Sequence, residues 1–553
     1  MGEDEPFRLP ACAEQYIAEV VRQIRYRKRV REEVRQELAA HFEDELRDCA
    51  DARERQKRAG RLIEGFGDAK LLAVLCRRAK KRCRPLWKKA LVRCVQVLGI
   101  LILYVTICMS PLYLGRATIK MDCLNWLNET ARGGREESDN ARPYYDKATK
   151  LFVEMPECLI ESRSRRPGDM NDVEQRSLSD WLAQNASALD TVREGSRRPY
   201  CWGCYRSQPI ALPQGTPVTS EAMIAGVMGD CMPVLATYRQ LAFAVQWQVR
   251  YEAFKGEMDA AVDDCFVLAR FGGHFLGNGL AIEQLVGMAI ERMANDSVLS
   301  LLDYPGVDAS LLATVQRRWQ ERLDRLGTGI TFDAEKGIWL DRIQRSFTDD
   351  GKGDGHALVR GPGYWMYAYQ DFWRVLTLRC PTRKEAMADV DAYYSHVNEL
   401  ATEYPWQWSD QDAHVDDSND AFMEPLMPVM QGARKFRLAD LFLKIQSASD
   451  RTLADRSWQW RTEGLAVLTV LALHRYQMER GQYPVDLKQL VDDGYLRQVP
   501  RDPYSPGSLS YARTDSGFIL YSWGRDRKDD GGRRATDADN EVGDTVFWPV
   551  SED

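Results

Sequence analysis

The chain has 553 residues, 28% charged and 44% hydrophobic, with a net charge of −7 and 13 cysteines. That length exceeds what one hydrophobic core supports, so three or four domains are expected. The charge is unevenly divided: residues 1–93 hold 24 Lys and Arg against 16 Asp and Glu, the rest 51 against 66. The acidic part has no basic patch interleaved with aromatics, which excludes a nucleic-acid binder.

The first predicted elements are short helices within residues 11–76. Val30, Val34, Leu38, Phe42 and Leu46 recur every four residues and give one helix an apolar stripe. Leu62, Ile63 and Phe66 mark a third helix, which Gly65-Phe66-Gly67-Asp68 ends before a fourth starts at Ala69. His41 lies beside the stripe with no second His or Cys near it, so a packing or capping role is expected. With Arg35-Gln36-Glu37-Leu38-Ala39-Ala40-His41-Phe42-Glu43-Asp44 ahead of that turn, the stretch resembles the HAAS domain family, small helical modules of bacterial membrane and regulatory proteins. The resemblance implies signalling or interaction.

Residues 94–115, CVQVLGILILYVTICMSPLYLG, carry no charge. As a helix they reach roughly 33 Å, enough to cross a bilayer once. The next apolar stretch, 464–473, is only 10 residues long and reads as a buried core helix. Arg77, Arg78, Lys80, Lys81, Arg82, Arg84, Lys88, Lys89 and Arg93 precede the span, against Arg116 and Lys120 after it. Basic residues stay on the cytoplasmic side, so residues 1–93 are expected inside, 94–115 in the inner membrane as an uncleaved signal anchor, and the rest exported to the periplasm. Membrane lipid is thereby an expected partner.

The exported region 116–450 is expected to be a helical bundle or irregular α-solenoid. Leu178, Trp181, Leu182, Asn185, Leu189 and Val192 make one helical face; Val234, Leu235, Tyr238, Leu241, Ala242, Val245 and Val249 make another, and Gly256 breaks the chain after it. The phrase Asp341-Arg342-Ile343-Gln344-Arg345-Ser346-Phe347-Thr348-Asp349-Asp350-Gly351 resembles exported helical segments of uncharacterised bacterial proteins and implies no activity. Cys201-Trp202-Gly203-Cys204 has the spacing of a small disulfide ring, of packed thiols, or of a redox motif. Its helical context differs from the strand-to-helix setting of redox enzymes, so a structural disulfide is expected. Asp350 to Gly355 carries a D-x-x-x-D-G skeleton, but Lys352 and Gly361 replace two calcium ligands, leaving either a metal loop or a Gly/Asp turn. Tyr364, Trp365, Tyr367, Tyr369, Phe372 and Trp373 read as core or as a binding groove.

Residues 457–553 read as an α+β unit: an apolar helix with Leu465, Val467, Leu468, Leu471 and Ala472, a short helix with Leu487, Leu490 and Val491, then strands at 509–511 and 518–522. Tyr476, Gly481-Gln482-Tyr483-Pro484, Asp502-Pro503-Tyr504, Tyr521-Ser522-Trp523-Gly524-Arg525-Asp526 and Asp529-Asp530-Gly531-Gly532 follow one another. That succession resembles the globular domain of the type II secretion major pseudopilin. The resemblance implies one structural calcium ion in the loop from Trp523 to Asp544, with Asp526 and Asp544 at the acidic ligand positions and Asp529, Asp530 and Asp539 as substitutes. Over 340 residues separate this module from the span, so a binding or stabilising domain on a different anchor is expected, not a pilus subunit.

The sequence has no G-x-S-x-G, H-E-x-x-H or P-loop, and its six histidines form no ligand spacing. The expected function is a membrane-anchored interaction or scaffold protein with partners in the envelope, connected to type II secretion-like assembly. The alternative is an anchored enzyme or signal transducer whose exported helical domain acts or senses.

Overall fold

The computed structural model describes residues 7–49, 51–82, 86–160, 165–206, 220–277, 279–325, 329–356, 358, 382–409, 438–515, 517–534 and 543–549. The protein is mainly helical with one small antiparallel sheet, and it forms two compact units, Met1–Ile107 and Cys108–Asp553. The aromatic run at 364–373, Gly361 and Asp539 lie outside the described residues.

In the first unit, α1 (Ala11–Gln23), α2 (Lys28–Leu46), α3 (Ala52–Phe66) and α4 (Ala69–Arg82) share one core. Val34, Leu38, Phe42 and Leu46 are its buried α2 stripe. Phe66 packs between the rings of Tyr16 and Phe42, with centroids 6.3 and 5.6 Å away. Gly67 ends α3 at φ 71°, a conformation a side chain would oppose, and its carbonyl accepts the Tyr16 hydroxyl at 2.9 Å. His41 sits edge-on to Phe66 at 5.5 Å, the packing position expected of it.

Helix α5 (Leu86–Tyr113) begins eight residues before the uncharged run and contains it up to Tyr113. Its window Ala90–Ile107 is long and apolar enough to cross a membrane, and none of it is buried against protein.

The second unit contains α6 (Cys123–Arg132), α7 (Arg142–Leu151), α8 (Glu157–Ile160), α9 (Asp172–Ser196), α10 (Ser220–Lys255), α11 (Met258–Gly273), α12 (Ala281–Ser300), α13 (Ala309–Arg325), α14 (Asp333–Ser346), α15 (Arg383–Leu400), α16 (Leu438–Arg480) and α17 (Leu487–Asp492). Both helical faces read from the sequence are buried: the one on α9 throughout, the one on α10 apart from a partly buried Val234. Capping boxes at Asn171 and Thr382 start α9 and α15 by occupying backbone N–H groups that the helix leaves free. Helices α10, α11 and α12 pack in succession, and α16 returns onto α12, α13 and α15. The helices therefore do not form a stack in which each touches only its chain neighbours.

Helix α16 spans 43 residues, about 64 Å. The expected domain boundary at 450–457 falls inside it. Its apolar stretch Ala466 to Leu473 is buried, as a core helix should be. Gly481, at φ 77°, stops it. Strands β1 (Ser510–Arg513), β2 (Phe518–Ser522) and β3 (Thr545–Trp548) then pair antiparallel in that order, Tyr511 opposite Leu520 and Tyr521 opposite Val546. Leu509, Phe518 and Leu520 belong to the same apolar core as α9 to α13.

Candidate functional site

The described cavity lies where the Cys201-Trp202-Gly203-Cys204 segment crosses the starts of α7 and α12 and the end of α11. It is a small, partly open cleft with room for about one water molecule, lined by Arg142, Cys201, Gly203, Tyr205, His274 and Glu283, among others. Two asparagines hold the segment in place. Asn140, nearly fully buried, accepts from the Trp202 and Arg142 backbone N–H groups at 3.1 and 3.0 Å and donates to the Trp202 carbonyl. Asn128 accepts from the Tyr205 N–H at 2.6 Å and donates to its carbonyl at 3.1 Å. Each amide thus uses both its oxygen and its NH2 group on the segment's backbone.

Glu283 stands on the far wall. Its Oε2 accepts the Tyr205 hydroxyl at 2.5 Å and the Leu280 N–H at 3.0 Å, and its Oε1 faces Arg142 Nη1 at 3.7 Å. Arg142 also donates to Asp146 at 2.9 Å, whose carboxylate takes the Tyr238 hydroxyl. A Cβ at position 203 would lie 2.5 Å from Arg142 Nη1, so any larger residue between the two cysteines would displace the guanidinium.

His274 is fixed in one state. The Arg198 carbonyl can only accept, so Nε2 carries the proton toward it at 2.9 Å and Nδ1 accepts the Tyr145 hydroxyl at 2.7 Å. Burial pushes its pKa down to about 4. The Cys201 thiol is pushed well up by burial, with Glu283 and Asp146 adding to it and Arg142 opposing. A protonated thiol is a poor nucleophile.

Cys201 and Cys204 are free thiols, the first partly buried in the cavity wall and the second exposed. Asn128 and Asn140 hold the segment between them. A second buried carboxylate adjoins the site. Glu335 accepts the Ala281 N–H at the start of α12, and burial pushes its pKa up to about 8.

The Asp350 loop is closed by its own hydrogen bonds. Asp350 Oδ1 accepts the N–H groups of Lys352 and Asp354 at 2.7 and 3.0 Å, and Asp354 Oδ1 accepts those of Gly355 and Lys384. Asp349 beside it pairs with Lys120 at 2.5 Å and Arg383 at 3.2 Å, and the Lys120 hydrogen bond holds its carboxyl below the usual range.

The residues expected around calcium gather partly. Asp544 is 2% exposed and accepts the Asp530 and Gly532 N–H groups at 3.3 and 2.7 Å. Burial raises its pKa, and the charges of Asp529 and Asp530 raise it further. Asp526 accepts from Lys528 N–H at 3.2 Å, and Asp529 from the Tyr521 hydroxyl at 3.0 Å. Trp523 meets Trp406 edge-on at 5.9 Å. Among the described residues no three of these side chains converge as ligands.

The Asp-Pro-Tyr motif has a clear structural role. Asp502, fully buried, accepts the Ser522 hydroxyl at 2.7 Å and the Trp523 and Tyr504 N–H groups at 3.0 Å. Tyr504 donates to Asp455 on α16 at 2.7 Å, and Arg525 pairs with the same carboxylate at 2.9 Å. These motif residues thus bolt the sheet to α16. No protein-family model, curated protein or solved structure matches this chain.

Proposed function

We propose that the chain is a single-pass, membrane-anchored scaffold of the bacterial envelope, with the first unit cytoplasmic and the second exported to bind envelope partners. The observation that supports it is α5, whose apolar window is wholly unburied between two units that each own a core. Lipid is the solvent in which such a helix is satisfied. The pseudopilin-like module fits a fixed support better than a polymerising subunit, because α16 spends its apolar surface on α12, α13 and α15. A role in type II secretion-like assembly is consistent with that. Calcium, held by Asp526 and Asp544 with Asp529, Asp530 and Asp539 in reserve, would bind the loop after β2 and neutralise its carboxylates.

A second reading, an exported ligand sensor or enzyme, draws on the Arg142–Glu283 cavity. Protease added to spheroplasts should digest residues beyond 115 and spare residues 1–93. Crosslinked cells extracted in mild detergent should then yield the chain joined to envelope assembly components through its second unit. A protected C-terminus would overturn the topology. A chain that emerges alone with a small polar molecule held at Arg142 would favour the sensor.

A further inference from the structure

Helix α4 presents two different apolar faces. Ala69, Leu72, Ala73 and Cys76 pack on the first unit's core. Leu71, Val74 and Leu75, one turn apart on another face, are 61%, 42% and 52% exposed. Exposed Lys70, Arg77 and Arg78 border that face. An apolar strip rimmed by cations on one side of a helix is the pattern of a segment lying in a membrane interface.

Position singles out the occupant. Residues 83–85 alone separate α4 from α5, so the end of α4 lies within about 15 Å of the start of α5 by chain length. The apolar window opens at Ala90, four residues into α5, about 6 Å along the axis. Helix α4 therefore ends beside the headgroup layer of whatever bilayer α5 crosses. A second copy of the chain would set a like-charged rim against this one, which opposes pairing, whereas an anionic leaflet complements it.

We infer that the Leu71, Val74 and Leu75 face of α4 docks on the anionic surface of the membrane that α5 spans, with Lys70, Arg77 and Arg78 against lipid phosphates. This rests on the membrane reading of α5. The docking turns the first unit from a freely tethered module into one held flat at the bilayer, with α1 to α3 facing away from the lipid.

The test uses the full chain in nanodiscs, with a photoreactive benzoylphenylalanine at one position at a time: Leu75, Ile102 inside the span, and exposed Arg61 on α3. Irradiation should give phospholipid adducts at 75 and 102 and none at 61. The yield at 75 should be several-fold higher in discs containing phosphatidylglycerol than in phosphatidylcholine alone, and should fall to the lower value when Lys70, Arg77 and Arg78 are all changed to Glu. Lipid adducts at 102 without any at 75 would overturn the docking and leave the span intact. Adducts at neither would overturn both. Equal yields at 75 in the two kinds of disc, or a crosslink from 75 to a second copy of the chain, would overturn the anionic-lipid assignment.

Discussion

A Cβ at position 272 would stand 2.8 Å from the Gly287 carbonyl and 2.8 Å from the Glu291 N–H nitrogen. Both obstacles are backbone, so α11 and α12 can cross this closely only because glycine meets glycine there. Elsewhere in a helix, glycine is a cost of about 1 kcal/mol relative to alanine. The sign should therefore split by site: Gly272→Ala should destabilise the second unit by about 1–3 kcal/mol, while Gly60→Ala on α3, where nothing lies within 4 Å, should stabilise the first by about 0.5–1 kcal/mol. Chemical denaturation of each variant reads both, and a stabilising Gly272→Ala would mean the helices are not held by this contact. His474 makes a pH-dependent contribution. Its ring is enclosed edge-on by Tyr483, Phe518 and Trp548, and burial lowers its pKa from 6.5 to about 4. Above pH 6.5 both folded and unfolded chains carry it neutral, and its packing counts in full. Below that, the unfolded chain takes a proton that the folded ring refuses, so stability falls as pH drops from 6.5 toward 4, by at most about 3 kcal/mol. Melts at pH 7.5 and 4.5 should show a loss that His474→Phe reduces; an equal loss in both would place the acid sensitivity elsewhere.

Among the elements, those with a strong local pattern were legible in the sequence and those made by distant partners were not. The stripe Val34, Leu38, Phe42 and Leu46, the apolar span, and the breaks at Gly67 and Gly256 each declare themselves within one helix length. The sequence instead reads as one helical domain ending at 450 and another starting at 457, yet α16 is continuous through both. Its buried Asp450 and Asp455 are answered by Tyr393, Tyr504 and Arg525, none of them nearby in sequence. The cavity was hidden for the same reason: Arg142, Tyr205 and Glu283 meet only in three dimensions. Glu283 and Glu291 among the apolar residues of α12 were the available signal, since carboxylates on a buried helix require partners. The acidic loop after β2 is argued at this scale too. Because the module shares its core with the helical body, calcium should be tested on the intact chain. At about 100 times the dissociation constant the ion should add roughly 2.7 kcal/mol, raising the melting temperature relative to chelator, and the rise should vanish in Asp526→Ala. Identical melts in the two buffers would leave the loop closed by hydrogen bonds such as those Asp544 accepts from Asp530 and Gly532, without an ion.

At the scale of the whole molecule, the phrase from Asp341 to Gly351 acquires a purpose that its sequence did not disclose. Gln344 accepts the Lys120 and Met121 N–H groups at 3.0 and 3.1 Å and donates to the Met121 carbonyl at 2.6 Å. Buried Asp341 orients it at 2.8 Å and pairs with Arg345 at 2.6 Å. Asp349 takes Lys120, Ala117 bridges Thr348, and His356 Nε2 donates to the Leu114 carbonyl at 3.1 Å. The chain leaving α5 is thus gripped for eight residues by the second unit, so force on that unit reaches the end of α5 through hydrogen bonds and an ion pair instead of a slack tether. Arg116 and Lys120 are exposed within that segment, which makes the grip measurable with trypsin. Gln344→Ala removes three backbone hydrogen bonds at once, and Asp349→Ala leaves Lys120 and Arg383 without a shared counter-charge. Each variant should speed cleavage after Arg116 and Lys120 several-fold, and the double variant should exceed either single one, because the two contacts hold neighbouring parts of one strap. Cleavage at the parental rate in the double variant, with the rest of the second unit still protease-resistant, would show that the strap is held by other contacts.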